Sequence, residues 1–282
     1  DSLLLFYHVQ RCGPTNPYLH EVCHLSDVAR VIGYNGSCVV DVTGGWHDAG
    51  DYIKFLNTTA HATYTMLFAF EFDQNKFDFD HNQNNAPDIL EEAVIGLERM
   101  LKLTAFPGTF VTQLQDLRDH EQGWRLPEND RLAHRRPAFI GIGKNSVGMY
   151  TATMALAYKV LRDRHATSKL AERCLTAAES AFALRHSVPD IDSSGTGAYR
   201  DAHYSGKLAL GAVELYAISS RQELLEEAKA LAMQAGPDYW WSWGDINAYA
   251  HYRLGSIDPK YRNYLRTNLE FFRRHAHAQL FG

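Results

Sequence analysis

The chain has 282 residues, 45% hydrophobic and 22% charged, with a formal net charge of -5 at pH 7. That length allows one large domain or two small ones around a substantial core, and an acidic balance argues against nucleic acid as a partner. No apolar run is long enough to span a bilayer, while aromatic residues at 12% suit both a helical core and stacking on sugar rings.

Residue 1 already lies in a helical pattern, Leu3-Leu4-Leu5-Phe6-Tyr7. The pattern predicts that something precedes it, so the lack of a leader carries no information about location. The best strand candidate is 37–42, and it is short. Helices are predicted at 58–72, with Ala60, Tyr64, Leu67 and Phe68 repeating at helical spacing, and at 87–103. Pro87 suits a first helical turn, and Asp88, Glu91 and Glu92 suit the positive end of the helix dipole. Small residues at Gly148, Ala152, Ala155 and Ala157 mark 146–162 as a helix that neighbours approach closely. Helices at 168–184, 208–218, 223–235, 246–254 and 259–277 follow. Ser220-Arg221-Gln222-Glu223 reads as a capping box, which makes the break after Ile218 a tight helix–helix turn. About nine helices in antiparallel succession, with the unusual residues on long loops, predict an all-α barrel whose site is built at one end.

The densest chemistry is in Gly44-Gly45-Trp46-His47-Asp48-Ala49-Gly50-Asp51-Tyr52-Ile53-Lys54-Phe55. Two carboxylates three residues apart, on a glycine-loosened stretch walled by aromatics, can hold and deprotonate a water. The same spacing also occurs where Asp residues cap turns or hold calcium. Lys54 is a candidate partner for one of the two Asp residues. Cys12, Cys23, His24 and His47 form a second set. They could complete a Cys2His2 tetrahedron, although the spacing alone favours a Cys12–Cys23 disulfide in a secreted protein. Cys38 and Cys174 stand outside this set, and Cys174 on an apolar helical face reads as a buried small hydrophobe. Tyr239-Trp240-Trp241-Ser242-Trp243 offers flat surfaces for sugar stacking, with Trp240 and Trp243 as candidate subsite residues, or else plugs the barrel end. His275 and His277 are two apart, so they do not share a helical face and read as solvated.

Several of these segments, in chain order, resemble glycoside hydrolase family 9. Phe6-Tyr7-His8-Val9-Gln10-Arg11-Cys12-Gly13 resembles the end of that family's first catalytic helix, and the 44–55 string resembles its signature. Pro87-Asp88-Ile89-Leu90-Glu91-Glu92-Ala93 is similar to its "PDILDEA" segment, and Leu126-Pro127-Glu128 to its "MPE" turn. Gly197-Ala198-Tyr199-Arg200-Asp201 with Glu214-Leu215-Tyr216 resembles its "AYGD…ELY" stretch.

The resemblance implies an (α/α)6 barrel, incomplete at the C-terminal end. Residues 1–282 would then be a partial catalytic domain lacking the start of the first helix and the C-terminal third. It implies inverting hydrolysis of β-1,4-glycosidic bonds in glucans by a secreted or periplasmic enzyme. By motif position Asp51 is the general base, Asp48 helps hold the water, and Tyr199 approaches the sugar. The general acid Glu has no counterpart here; Glu270 sits in an amphipathic helical pattern with the wrong neighbours. The fragment alone is therefore expected to be inactive. The alternatives are an exo-acting β-glucosidase or glucosaminidase of the same family, or a non-catalytic carbohydrate-binding relative. A bacterial subgroup with Arg-Cys-Gly, Cys-His and Gly-Trp-His-Asp elements binds structural zinc through them, which implies zinc at Cys12, Cys23, His24 and His47. That subgroup commonly carries an N-terminal β-sandwich domain. Where some members hold calcium, this chain has Gly206-Lys207, so hard-cation binding is expected to be lost there.

Overall fold

The computed structural model describes residues 2–25, 28–32, 38–132, 136–194, 201–239 and 242–278. The chain opens with α1 (Ser2–Gln10), β1 (Val28–Ile32), β2 (Val39–Asp41) and β3 (Lys54–Phe55), which runs straight into α2 (Leu56–Phe72). A one-turn α3 (Gln74–Phe77), α4 (Asp88–Lys102), β4 (Phe110–Leu114) and β5 (Ala138–Gly141) follow. The remainder is helical: α5 (Lys144–Leu161), α6 (Ser168–Ala183), α7 (Ser205–Ser219), α8 (Gln222–Ala235), α9 (Asn247–Gly255) and α10 (Arg262–Ala278).

Helix patterning decides the layers. On α5 nearly every side chain from Asn145 to Ala157 is buried, and on α7 burial runs unbroken from Gly206 to Leu215. A helix that is buried all round must be inner. By contrast α6 buries a stripe of Leu170, Ala171, Cys174, Ala178, Ala181 and Phe182, and α8 buries Leu224, Leu225, Ala228 and Ala232. Consistent with this, α2, α5, α7 and α9 each pack on the next, while α4, α6 and α8 pack outside them. The small residues permit a close inner contact: a Cβ on Gly148 would lie 2.4 Å from the backbone nitrogen of Leu208 on α7. This alternation of inner and outer helices is that of an (α/α) barrel.

Four sequence expectations are corrected. Ten helices occur among the described residues, because the four-residue α3 carries no periodic signal. Strands are not confined to 37–42: five form a sheet of order β2-β1-β5-β4-β3, with β1 and β5 parallel and the other pairs antiparallel. Ser220 is not a capping-box residue. It closes α7 in the left-handed conformation at φ 55, and Arg221 caps α8 without a side-chain bond. Glu92, read as a helix-end charge, turns fully inward from α4. There it accepts from Trp46 Nε1 at 2.7 Å and Arg11 Nη2 at 2.6 Å, fastening α4 to α1 and to the 44–55 loop.

Candidate active site and metal centre

The 44–55 segment is stitched to the end of α1 by backbone. Cys12 donates to the Gly45 carbonyl at 2.9 Å, His47 to that of Gln10 at 2.8 Å, and Gly13 to that of Cys23 at 3.0 Å. Two glycines make this approach possible. At φ 77, Gly13 has its Cβ position 2.7 Å from the Gly44 nitrogen, and at φ 72 Gly45 leaves room for the Arg99 side chain. Arg99 then donates to the Val42 carbonyl at 2.6 Å.

Asp48 and Asp51 share one turn, closed by the Asp48 amide donating to the Ile53 carbonyl at 3.1 Å. Asp51 has a side chain only 19% exposed, and its Oδ2 faces His120 Nδ1 at 3.2 Å. Its Oδ1 has no hydrogen-bond partner among the described residues. A held carboxylate with an uncommitted oxygen is suited to accept a proton. Asp48 lines a cavity of about 160 Å³ together with Phe6, Tyr7 and Trp46. A neighbouring cavity of about 330 Å³ lies between Gly50, Tyr52, Trp124 and Pro127. The larger cavities, of about 680 and 710 Å³, open between other helices and lack either carboxylate; the chemistry, not the volume, identifies the site.

Directly behind this turn, Cys12, Cys23, His24 and His47 converge. Their ligand atoms lie within 4.8 Å of one another, and all four residues are buried. Cys12 and Cys23 stand as thiols, not as a disulfide. Bonds of about 2.3 Å to sulfur and 2.0–2.1 Å to nitrogen give a tetrahedral S···N edge of roughly 3.5 Å; Cys23 Sγ and His47 Nε2 are 3.4 Å apart. A closed four-donor set with soft and borderline ligands fits a tetrahedral metal ion. The electrostatics of Cys12 and His47 agree with this, and those of Cys23 do not. Burial opposes ionisation of Cys12, yet a hydrogen bond from Cys23 and the Lys54 ammonium hold its thiol well below the usual range. Cys23 is raised because its proton serves that same hydrogen bond. Burial lowers His47 and so favours the neutral, ligating imidazole. Lys54 lies with its Nζ 3.1 Å from Cys12 Sγ, at the sulfur side of the cluster.

Other sequence candidates fare unevenly. Tyr199 and Trp240 lie outside the described residues. Trp243 is near Lys207, whose Nζ is 5.8 Å from the ring. Lys207 is 1% exposed and pairs with the Asp201 carboxylate. A Cβ on Gly206 would sit 1.7 Å from Asn247 Oδ1. A lysine head and a glycine offer no side-chain oxygen to a hard cation. Cys174 is fully buried.

Sequence reasoning missed His120, Trp124, Asp119, Asp130 and Arg136. Trp124 is 88% exposed, and its Nε1 would lie 3.9 Å from a Cβ on Gly50. The available signal was the density of ionisable residues between Asp116 and Arg136, a segment read only for Leu126-Pro127-Glu128. Asp130 accepts from His24 Nε2 at 2.8 Å and from Arg125 Nε at 2.9 Å. Burial pushes its carboxyl up, but those bonds and Arg136 hold it far below the usual carboxylate range.

Residues 1–280 match the family model described as "Glycosyl hydrolase family 9". The cellodextrinase of Butyrivibrio fibrisolvens is 26% identical over 82% of this chain and 44% of its own length. A metagenome-derived glycoside hydrolase family 9 endoglucanase is 27% identical, with TM-score 0.75 over 94% of this chain and 52% of that one. The cellulase Cel9M of C. cellulolyticum, solved in complex with cellobiose, is 22% identical with TM-score 0.80, covering 96% and 64%. The chain thus spans under half the length of that curated relative and part of each solved domain. The helical architecture is that of the (α/α)6 barrels of these structures.

Proposed function

The chain belongs to glycosyl hydrolase family 9, and on that premise we propose that it serves the inverting hydrolysis of β-1,4-glycosidic bonds in glucans. Asp51 is the general base and Asp48 helps to hold the attacking water. The observation that carries this reading is the shared turn: Asp51 is fixed through Oδ2 by His120 while Oδ1 is left to take a proton. As the bond between the anomeric carbon and the leaving oxygen breaks, water attacks from the opposite face and gives its proton to Asp51. A carboxylic acid on the leaving-group side protonates the departing oxygen, and we assign it to a Glu outside this chain. The names of the relatives, cellodextrinase and endoglucanase, support a cellulose-type or cello-oligosaccharide substrate. A polymer of that kind is met outside the cytoplasm, which favours a secreted or periplasmic enzyme. No described helix is long and apolar enough to cross a membrane.

Asp51→Asn in the complete catalytic domain should keep the fold and lower turnover of an unactivated β-1,4-glucan by about 10²–10⁴-fold. Asp48→Asn should also be damaging. Unchanged turnover by Asp51→Asn would sink the assignment.

We further propose that Cys12, Cys23, His24 and His47 hold a structural zinc. Such an ion closes its coordination shell with protein ligands and contributes to folding directly. His47 adjoins Asp48, so the ion would tie the base-bearing turn to the end of α1. Chelation should therefore lower both melting temperature and activity, with elemental analysis giving one zinc per chain. A zinc-free protein with unaltered stability would decide against it.

A further inference from the structure

Three buried charges and the partly buried Arg125 lie on the far side of His24. Arg136 hydrogen-bonds Asp119 through Nε and Nη2, both at 2.6 Å, and its Nη1 lies 2.6 Å from Asp130 Oδ2 as an ion pair without hydrogen-bond geometry. Arg125 bridges the same two carboxylates, at 2.7 Å to Asp119 and 2.8 Å to Asp130. The carboxylates are 0% exposed and the Arg136 side chain 1%. Two anions against two guanidinium forks form a neutral, charge-paired set, which lowers the cost of burying them. One member reaches out of it: Asp130 Oδ2 accepts from His24 Nε2 at 2.8 Å.

We propose that Asp130 is a positioning residue for the metal centre, and that Arg125 and Arg136 exist to hold it there. The inference rests on the metal reading above. With Nε2–H committed to Asp130, the imidazole is fixed in one tautomer and Nδ1 is the nitrogen left for the ion. A carboxylate behind a ligating histidine also raises its basicity, and losing such a partner typically weakens metal binding about 10–100-fold. The His24 backbone adopts φ 51, in the left-handed region uncommon for a residue other than glycine. The quartet also touches the base-bearing turn. The Arg125 guanidinium lies 4.7 Å from the centroid of the Tyr52 ring, and its carbonyl accepts from the Tyr52 hydroxyl. Tyr52 itself, next to Asp51, packs on His47 and His24 at 4.6 and 5.6 Å.

The test is zinc affinity of the full chain, measured by competition with a chromophoric chelator, alongside the absorption spectrum of the cobalt(II) form. Asp130→Asn should weaken zinc binding about 10–100-fold and alter the cobalt bands, which report the ligand set. Arg136→Lys keeps the charge but loses the fork, and should weaken binding by less. Glu214→Gln is the control: that carboxylate is buried among Tyr64 and Arg253, so its loss should lower melting temperature and leave zinc affinity alone. If Asp130→Asn does not fold, Asp130→Glu, which displaces the carboxylate by one methylene, is read by the same criterion. Wild-type affinity in the Asp130 variant, or an equal loss in Glu214→Gln, overturns the proposal while the metal reading stands. A wild-type chain that takes up no zinc overturns both.

Discussion

His61 shows how the barrel interior alters one side chain. It stands on α2 beside Tyr249, with ring centroids 6.5 Å apart. Burial, assisted by the Lys207 ammonium, lowers its pKa to about 4. In the unfolded chain the ordinary value is about 6.5. Between those values the unfolded state binds the extra proton, so stability rises with pH there and is lost as pH falls from about 6.5 towards 4. At 1.36 kcal/mol per pKa unit, the window is worth at most about 3 kcal/mol. Denaturant unfolding at pH 7.5 and pH 4.5 should show wild type losing up to that much more than His61→Gln. Parallel losses in the two proteins would mean that His61 is not the group being protonated.

Among the elements, legibility followed periodicity. The amphipathic α4, α6 and α8 were readable as helices because their apolar residues recur at helical spacing, and α5, buried all round, because of its small residues. Of the sheet only β2, inside the 37–42 candidate, was readable. Its β3 has two residues, too few for an alternation to register. Moreover β1 and β5 meet through Val31 and Ala138, a parallel pairing between distant segments that no local pattern announces. Ser220 misled for a related reason: its side-chain type favours a cap, but the end of α7 claimed it for a left-handed turn. The site divides the same way. Asp48, Asp51 and the four metal-type ligands lie in short strings with their own signature. His120 and Asp130 reach them only through tertiary folding of the 116–136 segment, so their roles became visible with the contacts to Asp51 and His24.

At the scale of the molecule, the proposed function gives the barrel one half of a two-carboxyl reaction. An inverting mechanism needs its acid roughly 6.5–9.5 Å from the base, across the glycosidic bond. Asp48 and Asp51 stand on the same turn, which on the proposed reading puts both on the water side of the sugar. No segment of the sequence resembles the one that supplies the acid, and the chain spans 52% and 64% of the two solved chains it matches. The outer surface tells a parallel story. Leu3, Leu5 and Phe6 on α1 are 76%, 44% and 57% exposed, and Leu269 on α10 is 69% exposed; apolar faces of this kind invite association. The 282 residues by themselves should therefore bind glucan without cleaving it and should self-associate as concentration rises. Reducing-sugar release from a soluble β-1,4-glucan, measured on the monomeric fraction from size-exclusion chromatography, checks this. Hydrolysis by that monomer, abolished by Asp51→Asn, would place the acid inside this chain and require a carboxyl other than Asp48 to face Asp51 across the bond.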